Sequence, residues 1–403
     1  MKSLAALTVV IAAVLTAFAQ RSDPGDLAFT SGTSTELPFR TVNNLILITA
    51  SVNGSKPGTF IFDTGAESTV VDTAFADSLR LKKSGKTTGN GAAGSATAGV
   101  IKNANITVGG LRAAGMTVYS LPLGSFTPSF AVPIDGIIGN DIIGKVVAQI
   151  DYAKGVLRLI QPSVFSAPTN ADMVPLLIDG GLPFIKTDVT PISGKPIDAR
   201  MEIDTGSTGA VLLNSPFVQK HALVKTLPAS LEKKTGGVGG TGASRVGRLS
   251  SLKFGTTTLR DPIVVLYSGT KGDNASSEYD GLIGGGVLRR FKITVDIMGK
   301  RLFLEPQPNV GDRFDTDMSG MELLADGPDL KEILIDEVTP GSAAAVAGIR
   351  GGDKLMEVDG RPVTVLGLEE VKRLFRQDGT SYEVTVLRKG KPLHYRVQLK
   401  RLI

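Results

Sequence analysis

The sequence predicts a mainly β protein: two duplicated lobes related by a pseudo-twofold axis, then a smaller α+β unit at the C-terminus. Composition is the first observation behind this reading. The 403 residues include 48 glycines and only 5% aromatics, a turn-rich balance that favours strands over helical bundles. The second is an internal repeat, in which a block near residue 60 and its downstream neighbours recur, in the same order, from residue 200 onward. The third is a change of pattern after Pro306-Gln307-Pro308, a proline-punctuated linker. At about 150 residues per domain the length accommodates three units. With 42% hydrophobic and 21% charged residues, the chain has enough apolar material for conventional cores and does not read as disordered.

Along the chain, Met1-Lys2-Ser3 precedes an apolar run from Leu4 to Phe18, and Ala17-Phe18-Ala19 places small residues where a signal peptidase cuts before Gln20. Residues 1–19 therefore read as an export signal, shorter than the ~20 apolar residues that span a bilayer. A periplasmic or secreted location is expected, with no stable membrane span after cleavage. The first lobe is placed at 31–164 and the second at 172–306. Phe60-Ile61-Phe62-Asp63-Thr64-Gly65-Ala66 matches Met201-Glu202-Ile203-Asp204-Thr205-Gly206-Ser207 at an offset of 141. Asp135-Gly136-Ile137-Ile138-Gly139 matches Asp280-Gly281-Leu282-Ile283-Gly284 at 145, and Ile150-Asp151 matches Val295-Asp296 at the same spacing. In each half a β-rich run, a Gly/Pro turn and a second run ending at the aspartate predict a hairpin: 45–52 with 59–62, and 184–189 with 199–203. Short helices are expected over 74–81 and 216–224, the latter capped by Ser215 with Pro216 in its first turn.

Composition also narrows the chemistry. There is no cysteine, hence no disulfide, thiolate nucleophile or Cys-ligated metal. His221 and His394 are the only histidines, too few for a histidine metal cluster, and both read as structural. No cofactor and no metal are expected. A net charge of +5, spread along the chain, gives no concentrated footprint for nucleic acid. Glu67 and Asp72 read as surface acids. Catalysis is left to carboxylates or hydroxyls.

The two Asp-Thr-Gly copies supply the carboxylates. Each ends an apolar β run and each precedes an Asp-Gly-apolar-apolar-Gly block by about 75 residues. If the repeats pack about a twofold axis, Asp63 and Asp204 face one another and share one proton, because two close carboxylates resist joint ionisation. Gly65 and Gly206 lack a Cβ and let main chain approach the acids. Thr64 and Thr205 are placed to hydrogen-bond across the axis, and Ser207 to donate to Asp204. On these residues the sequence resembles the aspartic peptidases, over about 31–164 and 172–306. The resemblance implies that Asp63 and Asp204 activate the hydrolytic water, that Thr64 and Thr205 buttress them, and that Ile137-Ile138-Gly139 and Leu282-Ile283-Gly284 pack beneath the active-site loops. Asp-Thr-Gly-Ala looks retroviral-like and two lobes in one chain look pepsin-like, so the enzyme implied is a fused, single-chain, retropepsin-like peptidase.

Two Gly-rich segments, Thr87–Val100 and Thr235–Gly247, lie between the motifs and are expected to form lids over a polypeptide substrate. Neither contains the tyrosine of pepsin-like flaps. The C-terminal unit, 318–403, resembles a PDZ domain through Pro340-Gly341-Ser342-Ala343-Ala344 and Ala347-Gly348-Ile349 to Asp359-Gly360. The resemblance implies a C-terminal peptide ligand added to a sheet edge. Gly320, Met321, Glu322 and Leu323 would be its receiving loop, and a helix near 368–375 would flank the groove. The sequence thus points to an exported aspartic endopeptidase whose PDZ domain recruits or gates substrate. The competing expectation is a noncatalytic periplasmic peptide receptor or scaffold using the same cleft.

Overall fold

The structure is a computed structural model that describes residues 7–9 and 25–403. The export-signal reading of 1–19 lies outside the described residues except for Leu7–Val9, a strand parallel to Leu231–Gly237. No helix among the described residues is long and apolar enough to cross a membrane.

Each half repeats one strand plan. Leu45–Val52 pairs antiparallel with Gly58–Phe62 through a turn that holds Asn53 and Gly54 at positive φ. Gly136–Ile138 then inserts parallel to Gly58–Phe62 and antiparallel to Val70–Asp72. In the second half, Leu182–Thr190 pairs with Ile197–Ile203, and Gly281–Ile283 lies between Ile197–Ile203 and Val211–Leu213 in the same senses. The inserted strands and the short strands beside them are buried throughout and, except for Asp72, apolar, as suits strands covered on both faces. A six-stranded sheet joins the halves. Its central pair is Val147–Asp151 against Phe291–Asp296, one strand from each repeat, with Ile150 opposite Ile293. The main apolar cluster runs through both lobes, from Ile48 and Phe62 to Met201, Ile203 and Phe291.

Two details differ from the sequence reading. Asp72 is not a surface acid: it is buried at the N-cap of Thr73–Ser78, accepting from the amides of Ala74 and Phe75, while its other oxygen accepts from Leu123. Its carboxylate satisfies helix-end donors that would otherwise be orphaned. The second helix, Ser215–Lys220, has Asn214 at its N-cap position without a side-chain capping bond, and Ser215 is already inside the first turn. It stops short of the expected end because Ala222 turns to φ 49° and a 3-10 turn, Leu223–Thr226, follows.

The C-terminal unit has its own sheet and core. Its strands run Met321–Asp326, Glu332–Val338, Lys354–Val358, Ser381–Arg388 and Lys391–Gln398, with Met321–Asp326 at the edge. Leu323, Ile335, Val371, Phe375 and Val386 fill its interior. Arg290, 1% exposed, fastens the linker to the second lobe. Its guanidinium donates to the carbonyls of Asn309, Val310, Asp312 and Arg313 and lies 3.6 Å over the Phe314 ring. On the other side, the edge strand packs against the first-lobe helix Thr127–Phe130. Lys372 Nζ donates to the Ser129 carbonyl at 3.2 Å, and the Asn43 amide to Glu369 at 3.1 Å.

Candidate active site

Asp63 and Asp204 each leave the end of a hairpin strand, held there by the inserted strand beneath. The Asp63 amide donates to Ile138 at 3.1 Å and the Asp204 amide to Ile283 at 3.0 Å. The threonines bind across the lobes as a closed set of four hydrogen bonds. Thr64 Oγ1 donates to the Ile203 carbonyl (2.6 Å) and accepts from the Thr205 amide (3.1 Å). Thr205 Oγ1 donates to the Phe62 carbonyl (2.7 Å) and accepts from the Thr64 amide (3.0 Å). All of these groups are buried, so each bond is made in a weakly screened interior.

This lock brings the carboxyls together. A Cβ on Gly65 would stand 2.7 Å from Cγ of Asp204, and one on Gly206 2.2 Å from Cγ of Asp63, so only glycine fits at either place. Oδ1 of each aspartate accepts the amide of the glycine two residues on, at 2.8 Å in both lobes. Both Oδ2 atoms are enclosed and lack a hydrogen-bond partner in the protein. Burial first, then the charge of Asp204, drives the Asp63 carboxyl well above the usual carboxylate range. Burial raises Asp204 to about 7, with the Gly206 amide opposing the rise. Such a pair holds a proton at neutral pH.

The flanking residues divide. The Ser207 hydroxyl does not donate to the Asp204 carboxylate, its Oγ being buried without a hydrogen bond; it is the Ser207 backbone amide that acts on that carboxyl, opposing the rise caused by burial. The loops share a backbone support, the Asn140 amide on the Ala66 carbonyl in the first lobe and the Gly285 amide on the Ser207 carbonyl in the second, both 2.8 Å, and differ in the side chains beneath. Under the first, Asn140 Nδ2 donates to the Thr64 carbonyl at 2.6 Å, and Asp141 accepts from the Thr69 amide and hydroxyl at 2.8 and 2.6 Å. Under the second, the backbone amides of Gly285 and Gly286 bind the carbonyls of Ser207 and Gly209. The side chains of Asn140 and Asp141 have no counterpart in the repeat, where Gly285 and Gly286 stand; their one sequence signal is that they follow Ile138-Gly139 directly.

The Gly-rich segments form two hairpins, Lys83–Gly91 with Gly94–Val108 and Leu231–Gly237 with Gly240–Arg248. Their tips meet and cross. The Ala93 amide donates to the Val238 carbonyl at 3.4 Å, and a Cβ on Gly94 would lie 2.5 Å from the Gly239 carbonyl oxygen. Ala92, from the first lobe, sits in an apolar cluster of the second with Phe184, Tyr267, Tyr279 and Leu282. Val238, from the second, sits in a cluster of the first with Leu47, Ile61, Tyr119 and Ile137. The cleft is thereby closed over the two aspartates, both fully buried.

One acid at the site escapes the sequence reading. Glu202 occupies the repeat position of Ile61, is fully buried, and neither of its carboxyl oxygens has a hydrogen-bond partner. Its signal is an acid standing where the first repeat has isoleucine. In the C-terminal unit, Met321 and Leu323 point into the core. The amides of Ser319 and Gly320 are donated to Asp317, at 2.8 and 3.3 Å, and that of Met321 to Ser319 Oγ at 3.1 Å. Burial raises Glu322 to about 7, opposed by Lys233 and Lys372. His221 caps a helix with its ring 4.6 Å from that of Phe217, and His394 bonds Thr385.

The aspartyl protease family model matches residues 48–142 and 190–287, one segment in each half, and the PDZ domain model matches 317–387. The architecture is that of a two-lobed aspartyl protease carrying a PDZ domain. Each protease segment contains one Asp-Thr-Gly loop and its inserted strand, and the PDZ segment contains the edge strand and its flanking helix. Among solved structures, a photosystem II D1 C-terminal processing protease is similar at 27% identity over 21% of this chain and 23% of that one, with a TM-score of 0.20. The chain thus spans under a quarter of that protein's length. No curated protein matches it.

Proposed function

We propose that this chain is an exported aspartic endopeptidase, in which a water between Asp63 and Asp204 attacks the peptide carbonyl. The supporting observation is the four-bond threonine lock, which holds two carboxyls from opposite lobes together in an enclosed site. The ionised member takes a proton from the water while the protonated member donates one to the carbonyl oxygen. The tetrahedral intermediate then collapses with proton transfer to the leaving amine, and no covalent acyl-enzyme forms. A proton shared between paired aspartates is the general pattern of aspartic proteases, and the burial of both carboxyls here suits it. Asp63→Asn and Asp204→Asn should each reduce cleavage of a diverse peptide mixture to background while leaving the melting temperature at or above the parent's. Turnover surviving in either purified variant sinks the mechanism. Peptide retained without cleavage across a broad pH range indicates a receptor instead.

Gating is the PDZ role we favour over open recruitment. The loop amides that would receive a peptide's terminal carboxylate are already donated to Asp317 and Ser319, and the edge strand packs against Thr127–Phe130. Export rests on the apolar run 4–18 and the Ala17-Phe18-Ala19 site. A mature N-terminus at Gln20 is its check.

A further inference from the structure

We propose that the pocket beside Asp204 takes a basic substrate side chain with Glu202 as its counter-charge, while the matching pocket beside Asp63 takes an apolar one. The inference deepens the peptidase reading and rests on it.

The two pockets are built on one backbone plan. Ile61 lies two residues before Asp63, with Leu47 and Ile137 as its cross-strand neighbours, and all three face the cluster filled by Val238. Glu202 lies two residues before Asp204, with Phe184 and Leu282 as its cross-strand neighbours, and both face the cluster filled by Ala92. Side chains alternate along a strand, so Met201 and Ile203 enter the main core while Glu202 turns to the Phe184–Leu282 face. Each flap tip therefore fills the space beside one aspartate of the opposite lobe. When the flaps lift, that space opens to a side chain of bound peptide.

Glu202 is the difference between the pockets. A carboxyl in this position loses its hydration and gains nothing from the protein, since both oxygens are enclosed and unbonded. The cation two residues away, Arg200, borders this pocket with its guanidinium 4.4 Å over Phe184, but its terminal nitrogens are donated to Asp179 and to the Glu278 carbonyl and not to Glu202. The charges that act on Glu202 are all acidic, namely Asp204, Asp63, Asp273 and Glu67, and with burial they hold it protonated in the closed cleft. An ammonium or guanidinium entering between Phe184 and Leu282 would supply the missing donors, and its charge would let Glu202 ionise. A norleucine side chain of the same length would leave both oxygens orphaned.

The test profiles cleavage by the full chain on a peptide library randomised on both sides of the scissile bond. Lys and Arg should be enriched at a single position adjoining the bond, with apolar residues across it. For matched peptides carrying Lys or norleucine there, Glu202→Gln and Glu202→Leu should each lower the Lys-to-norleucine ratio of kcat/KM at least ten-fold. Ile61→Glu should extend the basic preference to the opposite side. Melting temperatures of the Glu202 variants no lower than the parent's confirm folded protein, and Glu202→Gln carries the comparison should Glu202→Leu fail to fold. An active parent protein with no basic enrichment, or an unchanged ratio in Glu202→Gln, overturns this inference and leaves the peptidase reading standing. A parent protein that cleaves no library member overturns both.

Discussion

A carboxyl held like that of Asp204 fixes the sign of its own contribution to stability. Its folded value, about 7, lies above the unfolded value of 3.8, so between those limits the native protein binds more protons than the unfolded chain. Its contribution is fully present below the unfolded value and lost as pH rises through the folded one. The melting temperature should therefore fall as pH climbs from about 4 to about 7, and Asp204→Asn should flatten that decline. Melts at matched ionic strength across this range check it; a parallel curve for the variant refutes the assignment. At this scale the sequence is legible where chemistry demands the same short motif twice. Asp63, Asp204, their threonines and their glycines announce themselves by repetition. Asn140, Asp141 and Glu202 do not, because each marks a departure from the repeat. A single acid in a β run also looks like the solvent-facing position of an alternating strand.

Elements are legible to within a few residues wherever local chemistry decides them. The hairpins ending at each aspartate follow from β-branched runs and Gly/Pro turns, whereas the helix starts shift from their expected places: Asp72 caps the first through its side chain, and Asn214, at the N-cap position of the second, is held by its Nδ2 on the Tyr279 carbonyl, a contact made only in the folded protein. The hairpins over the cleft are readable as Gly-rich segments, but their crossing is not. Whether Val238 is buried depends on side chains from Leu47 to Ile137, far away in sequence. Val238→Asp places a charge in that apolar setting and should expel the tip. Hydrogen–deuterium exchange should then quicken at least ten-fold over 91–94 and 238–240. Unchanged protection there would show that the tip contributes nothing to closure.

At the scale of the whole molecule, one buried arginine joins protease and PDZ units. Arg290→Met would strand four linker carbonyls that now receive its guanidinium, at a cost of about 3 kcal/mol. Limited proteolysis should cut within 307–317, and the PDZ unit should unfold in a transition of its own. If the docked PDZ unit restrains the protease, peptide cleavage should rise in this variant. An intact linker and one cooperative melt would argue against the clamp. The three-unit plan is visible in the sequence because the repeat and the composition change bracket it. The docking is not, since nothing in the local sequence marks Arg290, Lys372 or Glu369, whose partners are supplied only by tertiary structure.

The crossed hairpin tips give the protein a built-in competitor for its own cleft. On the proposed peptidase reading, an incoming chain would gain only the difference between its side chains and the Ala92 and Val238 it displaces, so short or weakly anchored peptides would be turned away without any separate inhibitory segment. On the same reading, a small oily molecule taking the place of Val238 among Leu47, Ile61 and Ile137 would prop one hairpin open and change the threshold for every substrate, although it resembles none of them.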